Sequence, residues 1–403
     1  MKILLINATY GYTSTGLIVK DIAEMLDKGG NEGLVAYQTA LNAPEEFCKV
    51  GGFLSYKLHA LLCRVFGKQG YYSKCATRKF IKYIKRIKPD VVHLHNLHSN
   101  FVHLDMLLEF FAKENIPTVV TLHDCWYFTG KCFHYADINC KKFMSDCKNC
   151  PQRKAPPKSL IFDCASSVLK DRYKYFSAIP RLIIVGSSKW VQGELKKSVL
   201  KNVDSDYAYN GADISIFRPQ DESKLRNQLK LSNDCRIIMG MAGKWLLKEN
   251  ENVLKRVVES LDNNSKLLLV GCSDVQIENL KQYGDKVIPV GFIKDRHQLA
   301  EYYSLASVFV NVTHADTLPT VNIESICCGT PVITYDSCGS PELVLPGCGK
   351  VVKENDVDGL IDAINNCKEK ISDKDLTFAR EQFDKENCYK KYLEIYERVI
   401  HKD

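Results

Sequence analysis

Apolar residues in this 403-residue chain gather in short continuous runs, separated by longer stretches where they recur every third or fourth position. The short runs suit strands buried on both faces, and the longer periodic stretches suit helices with one apolar side. In the first half the pattern predicts strands at 2–7, 33–37, 90–94, 118–122 and 182–185, with helices at 17–27, 74–87 and 102–113. Ile18, Ile22 and Met25 or Leu26 would form the buried side of the first helix. In 74–87, Phe80, Ile84 and Ile87 share a face, and Lys79, Lys82, Lys85 and Arg86 occupy the others. A second series follows, with strands at 236–241, 266–270, 286–290 and 308–311 and helices at 251–261, 275–283 and 296–303. Beyond it lie 360–365 and a long terminal helix near 376–400. Strands alternating with helices in this way predict parallel sheets. A chain of this length exceeds one ordinary domain.

Between the second series and the terminal helix lies the densest run of signals, HADTLPTVNIESICCGTPVITYDSCGSPELV, from His314 to Val344. It reads as loop, helix, turn, strand and loop. Pro319 suits the first helical turn, where its missing N–H costs nothing. Gly329 followed by Thr330-Pro331 ends the helix. Residues 331–335 are a short apolar strand and Gly339-Ser340-Pro341-Glu342 a turn at its carboxyl end, the end where ligands bind in open α/β sheets. The helix start offers N–H groups and a positive dipole end to an anion such as a diphosphate. Asp316 and Glu324, one in the loop and one on the helix, would face what hangs from it.

An acid followed by Glu after seven residues, a helix ending in Gly-Thr-Pro-Val-Ile, and then Gly-x-Pro-Glu resemble the donor site of family 4 glycosyltransferases. The likeness extends to Asn210-Gly211-Ala212-Asp213 with Phe217-Arg218-Pro219, which resembles that family's hinge segment. It implies the α/β GT-B fold, two Rossmann-like parallel-sheet domains facing a central cleft. The acceptor-side domain would span 1–205 and the nucleotide-sugar-binding domain 206–403, its last helix crossing back to the first. The implied activity is retaining glycosyl transfer from a nucleotide sugar to a glycan or lipid-linked acceptor. The leaving diphosphate would be stabilised by lysines and helix N–H groups, with no metal required.

On the donor side the resemblance implies roles for Leu318, Pro319, Thr320 and Glu324 in substrate binding and for Asp316 near the sugar. Where the family places an Arg and a Lys to clamp the diphosphate, this chain has Lys244 and Lys248, with Glu249-Asn250 after them. Lysines act there as point charges, without the bidentate fork of Arg. Ile293, in Val290-Gly291-Phe292-Ile293, falls in the turn whose backbone reads the nucleobase. On the acceptor side, Ser14-Thr15-Gly16 resembles the glycine loop at the cleft, and Leu122-His123-Asp124 the His-Asp pair whose His reaches the donor sugar. Catalysis would then rest on His123, Asp316 and Lys248. His95 and Asn96, in HLHN, look like a signature of a subgroup linked to polysaccharide assembly. Asp316 where Glu is commoner, and Glu249 after Lys248, motivate a competing reading, a catalytically silent GT-B subunit that binds nucleotide sugar or glycan.

Residues 125–157 are an insertion too rich in turn residues for a simple connection. Its Cys132, Cys140, Cys147 and Cys150 end in one C-x-x-C, which admits a structural zinc, free thiols or a redox-labile pair. The insertion also resembles a segment of the same polysaccharide subgroup, in a position to shape the acceptor pocket. The remaining cysteines scatter through elements and suit buried thiols in a reducing compartment.

Charge changes the picture once more. Residues 1–200 carry 29 Lys and Arg against 16 Asp and Glu, a net +13, while the rest carries 26 against 32, a net −6. The excess concentrates around 57–88 and suits an anionic membrane surface. No nucleic-acid-binding module accompanies it, so nucleic acid is not an expected partner. The apolar run at the N-terminus is too short for a signal peptide. The expected location is cytoplasmic, peripheral to the inner face of the membrane.

Overall fold

The structure is a computed structural model and describes residues 1–402. The chain forms two compact units: Met1–Tyr209, rejoined by the chain from Tyr389 onward, and Asn210–Cys388.

The first unit holds β1 (Lys2–Ile6), β2 (Thr9–Tyr10), β3 (Glu32–Tyr37), β4 (Thr39–Ala40), β5 (Cys48–Lys49), β6 (Val91–Leu94), β7 (Thr118–Leu122), β8 (Leu182–Gly186) and β9 (Ser205–Tyr207). Seven of these form one sheet in the order β5-β3-β1-β6-β7-β8-β9, and β2 pairs with β4 alone. All pairings are parallel. Leu4, Ile6, Val92, Leu94, Val120, Leu122 and Ile184 project from the strands into one core with Phe80, Ile84, Leu107 and Phe111 from the flanking helices. The helix Lys74–Ile87 buries Thr77, Phe80 and Ile84 and leaves its Lys and Arg residues outside.

The second unit holds β10 (Arg236–Met241), β11 (Ser265–Val270), β12 (Val287–Val290), β13 (Val308–Asn311), β14 (Val332–Tyr335) and β15 (Gly349–Val352), ordered β12-β11-β10-β13-β14-β15 and again parallel. Its core joins Ile238, Leu267, Leu269, Val310 and Ile333 to Val253, Val257, Leu360 and Ile364 of the helices.

Several local expectations change. Pro319 stands at the cap of the helix Thr320–Cys327, not within its first turn; its ψ of 98° keeps it outside the helix. The long terminal helix is two, Asp373–Phe383 and Lys385–Ile400. Between them Asp384 is extended, with ψ 124°, and bridges to Ala212. Ala212 N donates to Phe383 O at 2.8 Å and accepts, at its own carbonyl, from Lys385 N at 2.9 Å. Gly211 makes that approach feasible, because a Cβ there would lie 2.3 Å from Lys385 Cα. Finally, a helix spans Phe53–Phe66, a stretch for which no element was expected; its inward side holds only His59 and Cys63.

Candidate functional site

In a doubly wound sheet, ligands bind beyond the carboxyl ends of the strands where the order reverses. In the second unit the reversal falls between β10 and β13. The segment after β10 begins with the one-turn helix Ala242–Trp245 and reaches Lys248 in a 3₁₀ turn. Trp245 folds back over the strand and donates its Nε1–H to Val310 O on β13 at 2.9 Å. Only glycine at 240 allows this, since a Cβ would sit 2.0 Å from that nitrogen. Fully buried Asn250 then ties the two loops together. Its Nδ2 donates to Lys244 O at 3.0 Å and Val312 O at 3.1 Å, and its Oδ1 lies 2.9 Å from His314 Nε2. Glu354 Oε1 lies 2.7 Å from the other His314 nitrogen. Lys244 is thereby held half-buried at the switch point, with Lys248 exposed beyond it.

The loop after β13 carries Asp316, half-buried, whose Oδ1 accepts from Leu318 N at 3.1 Å. Its carbonyl accepts from Gly339 N at 3.1 Å, and Ser337 Oγ donates to Thr313 O at 2.7 Å, so the loop after β14 clasps the loop after β13. Ser340 Oγ, buried in that clasp, has no protein partner. Leu318 and Pro319 are buried and Thr320 opens the helix. No side chain caps that helix start and no acid occupies its first turn, so its dipole end is not neutralised locally.

Glu324 follows one turn along. Tyr303 Oη donates to its Oε2 at 3.1 Å. Burial pushes its carboxyl up to about 7, against the opposing pull of the Arg296 charge and the Tyr303 hydrogen bond. Tyr303 and Arg296, both from the helix Arg296–Leu305, carried no signal in the sequence beyond their helical spacing. Ile293 is half-buried in the loop after β12, where Val290 and Gly291 carbonyls accept from Gly271 and Cys272. Asn210, at the start of this unit, is buried with its Oδ1 unpartnered.

In the first unit the order reverses between β1 and β6. Asn7 and Asn96 close this point: Asn96 N donates to Asn7 Oδ1 and Ala8 N to Asn96 O, both at 3.0 Å. Gly16 sits in the first turn of the helix Ser14–Lys28, packed where a Cβ would meet Thr9 Oγ1 at 2.8 Å. His95 at the end of β6 and His123 at the end of β7 come together, Nδ1 to Nε2, at 2.9 Å. Behind them His93 lies 2.7 Å from Thr121 Oγ1 and 2.8 Å from Tyr396 Oη. Burial pushes His123 down to about 4 and His95 well below the usual range, so both rings are neutral at neutral pH. Asp124 pairs with His98 at 3.0 Å and accepts from Trp126 N at 2.8 Å.

The insertion begins inside the core: Cys125, Trp126, Tyr127 and Phe128 are all buried, and Tyr127 Oη donates to His95 O. Arg172 lies over the Trp126 ring, 3.7 Å from its centroid. The thiols of Cys132, Cys140, Cys147 and Cys150 are unpaired. Burial pushes Cys132 up to about 11 and Cys147 up to about 12. Among the described residues, no three His, Cys, Asp or Glu side chains gather as metal ligands. Asp-x-Asp triplets at 204–206, 356–358 and 373–375 are engaged elsewhere. Asp204 and Asp206 pair with Lys402, Lys391 and Arg398, Asp358 pairs with Arg256, and Asp356, Asp373 and Asp375 sit at helix starts.

Two family models match the chain, one described as Glycosyltransferase Family 4 over residues 17–150 and one as Glycosyl transferases group 1 over residues 239–370. The putative teichuronic acid biosynthesis glycosyltransferase TuaC of Bacillus subtilis is 28% identical over 184 residues, 45% of this chain and 46% of the relative. The putative colanic acid biosynthesis glycosyl transferase WcaC of Escherichia coli is 23% identical over 288 residues, covering 67% of this chain and 65% of the relative. The chain thus spans about half to two thirds of the curated relatives it matches. Among solved structures, Anabaena HepE in complex with UDP superposes with a TM-score of 0.66 at 16% identity, covering 98% of this chain and 99% of that one.

Proposed function

The chain belongs to family 4 of the GT-B glycosyltransferases, and on that premise we propose that it is a retaining enzyme of polysaccharide assembly. It moves a sugar from a nucleotide sugar onto a glycan or lipid-linked acceptor of a capsular, exopolysaccharide or O-antigen pathway, at the cytoplasmic face of the membrane. The observation that carries this reading is the half-buried Glu324 carboxyl, held by Tyr303 one turn inside an uncapped helix start at the switch point of the second unit.

In this proposal Glu324 accepts hydrogen bonds from ribose hydroxyls. Lys244, Lys248 and the N–H groups around Leu318, Pro319 and Thr320 receive the diphosphate, while Ile293 lies on the nucleobase side. Asp316, in the loop before the helix, serves the sugar. His123 does so from the first unit, where Gly16 lines the acceptor side. Asn210 offers an unpartnered acceptor at the start of the donor unit. As the glycosidic bond to the diphosphate breaks, its oxygens gain negative charge, and the lysines and helix N–H groups stabilise that gain. The chemistry therefore requires no divalent ion. Relatives named for teichuronic and colanic acid biosynthesis support a polysaccharide pathway.

A second reading, a silent GT-B binding subunit, is favoured by Asp316, one methylene shorter than Glu. A panel of nucleotide sugars, with and without acceptor glycans, tests both. Released nucleotide that rises with acceptor is the expected result. Binding without release across the panel would favour the silent subunit, and absence of binding would overturn both.

A further inference from the structure

The helix Phe53–Phe66 has its amphipathicity inverted. Phe53 is 73% exposed, Leu54 82%, Leu58 57% and Leu61 56%. Leu54, Leu58 and Leu61 follow a spacing of four and three and so form one stripe along the helix. The opposite side is fixed to the unit by polar groups: His59 Nδ1 lies 2.7 Å from Ser73 Oγ, and Gly70 N donates to His59 Nε2 at 3.2 Å. A second exposed apolar segment, Leu160–Phe162, packs at the carboxyl end of the same helix. Phe162 stacks on Phe66 with centroids 5.6 Å apart, and Leu160 N donates to Arg64 O at 2.7 Å. Scattered surface leucines need no explanation, but a contiguous apolar face on an ordered helix does.

The charge around this face identifies its occupant. From residue 47 to 89 the chain has eleven Lys and Arg and no Asp or Glu. Lys57 and Arg64 rise from the helix itself, both exposed, with Lys57 Nζ 5.2 Å from the Phe53 ring centroid. The neighbouring helix Lys74–Ile87 presents Lys74, Arg78, Lys79, Lys82, Lys85 and Arg86 to solvent. An apolar stripe with basic flanks and no acid is the pattern of a helix lying in the headgroup region of an anionic bilayer. A second copy of the chain would bring the same positive field against itself. We propose that the face Phe53–Leu54–Leu58–Leu61 inserts into the surface of an anionic membrane while the surrounding Lys and Arg bind its headgroups.

This rests on the membrane location in the proposed function and not on glycosyl transfer, so the two are tested separately. Purified protein is sedimented with vesicles of phosphatidylglycerol and phosphatidylcholine in equal parts, and with phosphatidylcholine alone, at low and high salt. The wild type should bind only the anionic vesicles, and high salt should weaken that binding without abolishing it, because the apolar contact is not screened. The double variant Leu54→Glu with Leu58→Glu should bind them at least tenfold more weakly, with unchanged thermal unfolding, since both side chains face solvent. Leu58→Trp should show a blue-shifted emission on anionic vesicles, reporting burial of that position. Nucleotide-sugar turnover with a soluble acceptor should be the same in all variants. Wild-type vesicle binding by the double variant, or an unshifted emission from the Leu58→Trp variant, would overturn insertion. So would dimerisation of the wild type in light scattering that the double variant abolishes, which would make the face an interface between copies.

Discussion

His123 Nε2 lies 2.9 Å from His95 Nδ1, and the two rings stand 19° from parallel with centroids 5.2 Å apart. Burial keeps both neutral, so one ring donates its N–H to the other in a hydrogen bond and the tautomer of His95 governs what His123 offers on its far side. Residue 95 thereby acquires a reason that the HLHN pattern alone does not supply.

If His123 serves the donor sugar, His123→Ala should leave affinity for free nucleoside diphosphate within about twofold and lower turnover by about 100-fold. His95→Ala should lower turnover less, with no change in KM for the donor, because it acts by orienting His123. Calorimetry of the diphosphate beside steady-state turnover checks both. Wild-type turnover in His123→Ala would remove that residue from the chemistry.

Desolvation pushes the half-buried Glu324 carboxyl up to about 7, above the ordinary glutamate value of about 4.3. Below pH 7 the nucleotide-free protein carries a proton there, which ribose binding must displace. Nucleotide affinity should therefore rise with pH and level off above 7, with proton uptake by the buffer detectable in calorimetry. Stability of the nucleotide-free protein should run the other way. A carboxyl raised in the folded state binds its proton more tightly than the unfolded chain does, so stability falls as pH rises from about 4.3 toward 7. Glu324→Gln should flatten both profiles and weaken nucleotide binding about tenfold or more, the scale of a charge-assisted hydrogen bond.

Lys248 is exposed and Lys244 half-buried. Lys248→Ala should weaken nucleoside diphosphate binding about tenfold and turnover further, because the leaving group gains charge in the transition state. Affinity for the plain nucleoside should not change. An equal loss for nucleoside and diphosphate would mean that the lysine acts elsewhere.

Donor turnover should survive EDTA within about twofold if lysines and helix N–H groups alone stabilise the leaving group. Strict dependence on added magnesium or manganese would reject that account.

Asn250→Ala should be the most destabilising of these substitutions. It leaves Lys244 O and Val312 O without their side-chain donor and His314 without its Oδ1 partner. At about 1–3 kcal/mol for each buried group left unpaired, a loss of roughly 2–4 kcal/mol is expected in urea unfolding. Diphosphate affinity should fall with it, as Lys244 loses its anchor.

Most of the long central strands and their helices were readable from the amino-acid pattern, because burial on both sheet faces leaves short apolar runs that differ from helical periodicity; the helices Ala165–Ser177 and Lys189–Leu195 and the edge strands β9 and β15 were not. The helix after Asp316, its stop at Gly329 and the strand at 332–335 were readable for the same local reasons, with Pro319 displaced to the cap. The face Phe80–Ile84 of the helix Lys74–Ile87 followed directly from spacing. Strand order is a long-range property, so only the fold showed that Lys244 and Asp316 leave adjacent strands at a reversal. Tyr303 meets Glu324 across 21 residues and His95 meets His123 across 28, separations over which composition and period carry no information. The break at Asp384 depends on Gly211, far earlier in the chain, accepting the Lys385 backbone. On the helix Phe53–Phe66 the periodicity was present, but apolar spacing marks a face without marking its direction. Tertiary packing turned that face outward, because His59 and Cys63 hold the other side.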